Sequence, residues 1–266
     1  MDIIKSFFTL FHKKLDYSIA QNECLLTHMK ALVVHPKTFG DYCECHKGKD
    51  VALIACGPTL KYAHAVDGMI YVGVNGAFRQ SFATLDYLFF QDPVPWLNEA
   101  NNYAKGHCKK FYGIIPQNRC RDGKFRPISI FDIRDADAST YYLEDMLFHN
   151  WPNNIALEPI RDHCGSVFSA MQFIIYTRPK NIYLFGCDCQ DGGHYYDDGN
   201  GFHHAYGYQI SAWQSLKEHA SAYYPDINII SVNPVKLKGL FSDCYTREFL
   251  SEHPEIEKNT DATILE

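Results

Sequence analysis

At 266 residues the chain can bury the core of one large domain, or of a domain with an appendage. Its 46% hydrophobic and 21% charged residues are those of a folded globular protein, and a formal net charge of −6 excludes the basic face of a general nucleic-acid binder. There is no run of about 18 apolar residues and no apolar stretch ending in a small-residue cleavage site, so the expected location is the cytoplasm.

Residues 1–48 read as an N-terminal helical extension. Ile3, Ile4, Phe7, Phe8, Phe11 and Leu15 fall near helical spacing, with Lys5, Lys13 and Lys14 on the other side. Such a stripe over residues 1–15 suits peripheral contact with a membrane surface, or docking on its own domain or a partner chain; docking is favoured.

An α/β domain is expected over 49–250. Val51–Ala55 is a short apolar run ending in Cys56, Gly57, Pro58 and Thr59, as a buried strand followed by a tight turn would be. Met69–Val74 is a second, ending at Asn75 and Gly76. Tyr87–Phe90 is a third, ending at Gln91, Asp92 and Pro93, and a further strand is expected near Lys110–Ile114. Asn181–Gly186 ends at Cys187 and Asp188, and Ile227–Val232 ends at Asn233 and Pro234. Helical spacing of Val167, Ala170, Met171 and Ile174, and a helical stretch over Ser211–Tyr223, separate the later strands. Strands alternating with helices predict a mostly parallel sheet with helices on both faces. Residues 251–266 are polar and acidic and read as a flexible tail.

Ligands of open parallel sheets bind beyond the carboxyl ends of the strands. Gly57, Pro58 and Thr59, then Asn75, Asp92 and Asp188, all fall at such ends. Gly57 allows a close backbone turn, and Thr59 is placed to cap the helix after it. Asn75 offers donor and acceptor groups to a ribose or base edge. Asp92 suits sugar hydroxyls or a plain Asp-Pro turn equally. Gly165 and Ser166 open a helix whose first N–H groups suit a phosphate or carboxylate. Neither a Walker loop nor a Gly-x-Gly-x-x-Gly pattern occurs, which disfavours P-loop and dinucleotide chemistry.

The segment at about 189–208 is long and hydrophilic and reads as a lid. It carries Asp191, His194, Tyr195, Tyr196, Asp197, Asp198, His203 and His204, a mixture suited to acid–base work and phosphate contacts. The ten cysteines include no Cys-x-x-Cys pair, and a reducing compartment with free thiols is expected. Neither Cys43, Cys45 and His46 nor Cys187, Cys189 and His194 has structural-zinc spacing, so no metal is expected. Aromatic residues make up 15%, which fits sugar or nucleobase contacts as well as an aromatic core.

In motif order over about residues 50–240, the chain resembles the family 42 bacterial sialyltransferases and the related domain of motility accessory factors. The matching pieces are Cys56–Lys61, Asn75, the Asp92–Pro93 turn, Gly165–Phe168 and Asn181–Asp188. The resemblance implies a Rossmann-like transferase using a CMP-activated sialic-acid-like sugar and a glycan acceptor of the lipopolysaccharide or capsule kind, with no cofactor and no metal, in an assembly of like chains. It implies that Asn75 contacts the nucleotide, that Gly165 and Ser166 form the donor turn, and that Tyr195 or Tyr196 stabilises the leaving phosphate. It makes His204 the general base, with His203 second. Three departures stand out. Cys56 and Asp92 replace asparagines, and His163, with Arg161 nearby, replaces an arginine before the donor turn. The rival is a Mg-dependent nucleotide pyrophosphokinase of the pterin diphosphokinase type, with Asp92, Asp188 and Asp191 holding the ion. A non-enzymatic nucleotide or glycan sensor is a third reading.

Overall fold

The computed structural model describes residues 2–91, 97–114, 128, 133, 137–145, 150–163, 165–190, 193–196, 206–257 and 263–265. Nine strands form one all-parallel sheet: β1 (Asp50–Ile54), β2 (Ile70–Val74), β3 (Tyr87–Phe90), β4 (Lys109–Ile114), β5 (Ser139–Asp145), β6 (Ile160–Asp162), β7 (Asn181–Phe185), β8 (Asn228–Val232) and β9 (Ser242–Cys244). Their order is β6-β5-β4-β3-β2-β1-β7-β8-β9. The expected Rossmann-like α/β architecture is therefore present, and its sheet is wholly parallel among the described residues.

The central strands are apolar throughout because both faces of the sheet are covered. Val51, Leu53, Val72 and Phe89 point to one face and Ala52, Ile54, Leu88 and Phe90 to the other, and all are buried. The first face is covered by α1 (Asp2–Phe39), α3 (Ser166–Tyr176) and α4 (Tyr206–Tyr223). Helix α3 packs on the sheet and against α4, with Phe168 against Trp213 (5.0 Å between ring centroids), and every residue of it but Val167 is buried. That explains a mostly apolar sequence, in which the buried Ser169 and Gln172 are hydrogen-bonded, since a helix enclosed on several sides has no solvent face. The second face carries the 3-10 turns Pro58–Tyr62 and Asn75–Arg79 and the short helix α2 (Leu97–Asn102).

Phe39, Tyr42, Tyr87, Phe89, Phe111, Tyr141 and Phe173 form a continuous cluster, with rings as close as 4.7 Å for Phe89 and Phe111. Much of the chain's aromatic content is therefore core.

Helix α1 joins the domain through its second half. Ala31, His35, Thr38 and Phe39 are buried, whereas Leu15, Ile19, Leu25, Leu26, Met29, Leu32 and Val33 are exposed. Of the apolar stripe read from residues 1–15, the side chains before Leu15 lie outside the described residues. His35 fixes the helix to the sheet. Its Nδ1 donates to the carbonyls of Ile155 (2.9 Å) and Glu158 (2.8 Å), and its Nε2 accepts the Tyr142 N–H (2.9 Å). No helix among the described residues is long and apolar enough to cross a membrane.

The end of the chain departs from a flexible tail where it is described. Helices α5 (Arg247–Glu252) and α6 (Pro254–Glu257) follow β9, and Thr263 and Leu265 bracket Tyr245 through backbone hydrogen bonds of 2.9 Å each. Phe249, Leu250 and Ile264 close an apolar cluster with Tyr62, and this burial outweighs the acidic composition of the segment.

Candidate functional site

The strand order reverses direction between β1 and β7, the topological switch point at which open α/β sheets hold their ligands. After β1 the chain turns onto the second face, where Leu60 packs, and the route from β7 leads to α4 on the first. The two connections diverge and open a crevice at the carboxyl edge.

Three of the anticipated residues meet in that crevice. The Gly57 N–H donates to the Gly186 carbonyl (2.9 Å). A Cβ on Gly57 would lie 2.4 Å from that carbonyl oxygen and 2.6 Å from Asp188 Oδ2, so only glycine fits. Asp188, 4% exposed, accepts the Thr59 N–H (2.8 Å) on one oxygen and the Thr59 hydroxyl on the other. Burial pushes the Asp188 carboxyl above its ordinary range, and the two Thr59 bonds pull it back. Thr59 thus does not cap the turn that starts at Pro58; the capping group is the Asp188 carboxylate, which arrives from another strand. Pro58 occupies the first position of that turn, where its lack of an N–H costs nothing.

The second cluster joins the end of β2 to His194, Tyr195 and Tyr196. Asn75 adopts a left-handed conformation (φ +45°), which asparagine tolerates better than most residues. The Tyr195 N–H donates to the Cys56 carbonyl (2.9 Å), its hydroxyl lies 3.5 Å from the Gly76 carbonyl, and burial pushes its phenol up, so it stays a neutral donor. Tyr196 lies across Gly76: a Cβ there would be 2.4 Å from the Tyr196 hydroxyl oxygen. The Arg79 guanidinium stands over the Tyr196 ring at 4.8 Å, and His194 packs on the same ring at 5.1 Å. Cys56 is buried beneath, its thiol 3.5 Å from the Val74 carbonyl.

Gly165 and Ser166 open α3 with no side-chain cap. Their helix is linked to Asn75 by way of Ser169 and Gln91, which the sequence marked only as the end of β3. The Gln91 N–H donates to Asn75 Oδ1 (2.9 Å), and its side-chain amide donates to the hydroxyls of Tyr141 (2.9 Å) and Ser169. The network runs from the end of β2, past β3 and β5, into the first turn of α3. The Arg161 side chain is engaged away from Gly165 and Ser166. Its guanidinium is bound to Glu144 and to the carbonyls of Asn150 (3.0 Å) and Pro159 (3.3 Å). His163 is buried against Trp151 (4.2 Å) and Phe168 (5.4 Å). Asp92, Asp191, His203 and His204 lie outside the described residues.

No protein-family model and no curated protein sequence matches the chain. Among solved structures it is similar to the sialyltransferase CstII from Campylobacter jejuni, determined in complex with a substrate analogue, CMP-3FNeuAc. The similarity has a TM-score of 0.39 at 12% identity, over 69% of this chain and 80% of that one. A likeness of that degree carries no argument about activity, and the Rossmann-like fold stands on the strand order itself.

Proposed function

We propose that the chain is a glycosyltransferase that moves a sialic-acid-like sugar from a CMP-activated donor to a glycan acceptor, with no metal in the chemical step. The observation that carries this is the seat of Tyr195 and Tyr196 on the Asn75–Gly76 turn, beside Arg79, at the switch-point crevice. Neutral phenols and one guanidinium suit a departing phosphate, because donors aimed at developing charge are strongest where water is partly excluded. In this scheme Asn75 contacts the nucleotide, Gly165 and Ser166 present α3 N–H groups to the donor, and Gly57 lets the backbone come close. The acceptor oxygen attacks the anomeric carbon as the bond to the phosphate oxygen breaks. His204, or His203 in its place, takes the acceptor proton, and CMP leaves.

Asp188 weighs against the pyrophosphokinase reading, because both of its oxygens accept from Thr59. The test is a thermal-shift series with CMP, CDP, UDP, ADP and ATP, each with and without EDTA. Saturation about 100-fold above Kd stabilises the native state by about 2.7 kcal/mol. Stabilisation by CMP or CDP that survives EDTA, and is reduced in Tyr196→Phe, is the expected result. Stabilisation by ATP with Mg²⁺ alone overturns the proposal in favour of the kinase.

A further inference from the structure

Away from the crevice, helix α1 and strand β5 bring together a thiol, an imidazole and a carboxylate. Cys24 and His28 are four residues apart and therefore share a face of α1. Glu144 is the sixth residue of β5. Cys24 Sγ lies 2.5 Å from Glu144 Oε1, and His28 Nε2 lies 3.1 Å from Oε1 and 2.9 Å from Oε2. The three donor atoms all fall within 4.8 Å of one another, a grouping with no counterpart among the described residues.

We propose that Cys24, His28 and Glu144 form a binding site for one zinc-like divalent transition-metal ion, which fastens helix α1 to strand β5. Sulfur, imidazole nitrogen and carboxylate oxygen are the donors that zinc takes, and three protein ligands leave the fourth tetrahedral position to water. The support behind the ligands is already built. Arg161 holds Glu144 through Oε2, while its own position is fixed by the carbonyls of Asn150 and Pro159, so that Oε1 is turned toward Cys24 while His28 reaches both oxygens. Such outer contacts orient a ligating carboxylate. Glu144 is 5% exposed, whereas the His28 side chain is 32% exposed, which gives an ion a path in from the helix side.

Charge favours a cation as well. A thiolate and a carboxylate balance a dication, and the Arg161 guanidinium is partly offset by Glu158 at 3.8 Å. Without an ion the thiol keeps its proton: burial, followed by the Glu144 carboxylate, pushes Cys24 up to about 11. Metal entry releases that proton to solvent as the sulfur–metal bond forms. With bonds of about 2.0–2.3 Å to the ion, tetrahedral donors stand roughly 3.3–3.7 Å apart. The three atoms must therefore spread by up to about 1 Å, a movement open to side chains at the flank of an exposed helix.

The location gives the site a consequence. Thr38 donates to the Thr140 carbonyl (2.9 Å) and His35 accepts from the Tyr142 N–H, so α1 runs down the helix as β5 runs up. Cys24 and His28 on Glu144 form the tether farthest toward the N-terminal end of the helix in this series. An ion there sets where the exposed apolar flank of α1 points.

Cobalt(II) is the probe, added to the full-length chain after removal of metal by chelation. The expected result is a thiolate-to-cobalt charge-transfer band with intense four-coordinate visible absorption, saturating at one ion per chain and bleached by zinc. Cys24→Ser should lose the charge-transfer band, and His28→Gln should weaken binding at least about tenfold. Both positions lie on the partly exposed side of α1, whereas Glu144 is left intact because its loss would strand Arg161. A wild-type chain that gives only the weak spectrum of hydrated cobalt overturns the proposal. So does a band undiminished in Cys24→Ser, which would place the ion on another of the ten cysteines.

Discussion

The Thr59–Asp188 pair offers a direct test of what holds the crevice open. It joins the loop after β1 to the loop after β7, across 129 positions of sequence. Hydrogen bonds to a charged group contribute about 1.5–3 kcal/mol, and a buried donor left without an acceptor costs about 1–3 kcal/mol. In Asp188→Ala the Thr59 N–H, in a turn where Thr59 is 6% exposed, loses its acceptor, and the carboxylate leaves a small void. The hydroxyl can rotate to another partner, so the expected loss is about 2–4 kcal/mol. Asp188→Asn keeps an oxygen for the Thr59 N–H and turns its NH₂ toward the hydroxyl, which can accept. It also relieves the burial that pushes the acid up, so the expected loss is below about 1 kcal/mol. Urea unfolding at constant m measures both, and the Thr59→Val, Asp188→Ala double variant should fall short of additivity by about 1–2 kcal/mol. Equal losses for Ala and Asn, or strict additivity, would refute the clamp. The same variants separate the two enzymatic readings. A clamp predicts that Asp188→Asn retains CMP-dependent stabilisation, whereas a Mg²⁺ ligand at this position predicts that ATP·Mg²⁺ binding collapses with the loss of charge.

Gly76→Ala should reduce the CMP-induced thermal shift by more than half, because its Cβ displaces the Tyr196 hydroxyl. The half-buried phenol can swing aside, so the unfolding midpoint should move by less than about 1 kcal/mol; an unchanged CMP response would remove Tyr196 from the phosphate site. His35 supplies a pH dependence. Burial lowers it from 6.5 to about 4, so the native state favours the neutral ring, and its contribution is complete above pH 6.5 and lost as pH falls toward 4. The loss at pH 4.5 should be about 2–3 kcal/mol, read as a fall in urea midpoint that His35→Gln flattens; an equal slope in the variant would refute it.

The strands that could be read from the sequence are those buried on both faces. Val51–Ile54, Ile70–Val74 and Asn181–Phe185 are apolar runs because they lie at the centre of a parallel sheet. Strands β5, β6 and β9 gave no such signal. Ile160–Asp162 and Ser242–Cys244 are three-residue edges that owe their form to backbone pairing. In Ser139–Asp145 the buried Glu144 is acceptable because Arg161, Cys24 and His28 meet its carboxylate, and such partners are invisible to periodicity. The site divides in the same way. The turns at Gly57 and Asn75 were legible because special residues end apolar runs. The assignment of Asp188 to Thr59, of Gln91 to Ser169, and of Cys24 and His28 to Glu144 depends on contacts between 78 and 129 positions apart.

The strand order also explains why those special residues converge. From β1 the chain lays β2 to β6 outward on one side, and α3 then carries it back along the first face to β7 on the other side of β1. Two connections that leave adjacent parallel strands for opposite faces cannot fill the gap between them with their own backbone. The two connections come close where Gly57 passes Gly186, and there the Cβ of any other residue would lie 2.4 Å from a backbone carbonyl oxygen. Asp188 and Thr59 close the floor, while Tyr195 is hydrogen-bonded to the Cys56 carbonyl of the same turn. In the proposed scheme the donor meets backbone on the β1 side and the phenols of Tyr195 and Tyr196 opposite. That pairing suits an anionic, ring-bearing group better than an ion held by carboxylates, since the buried carboxylate of the floor already has its hydrogens.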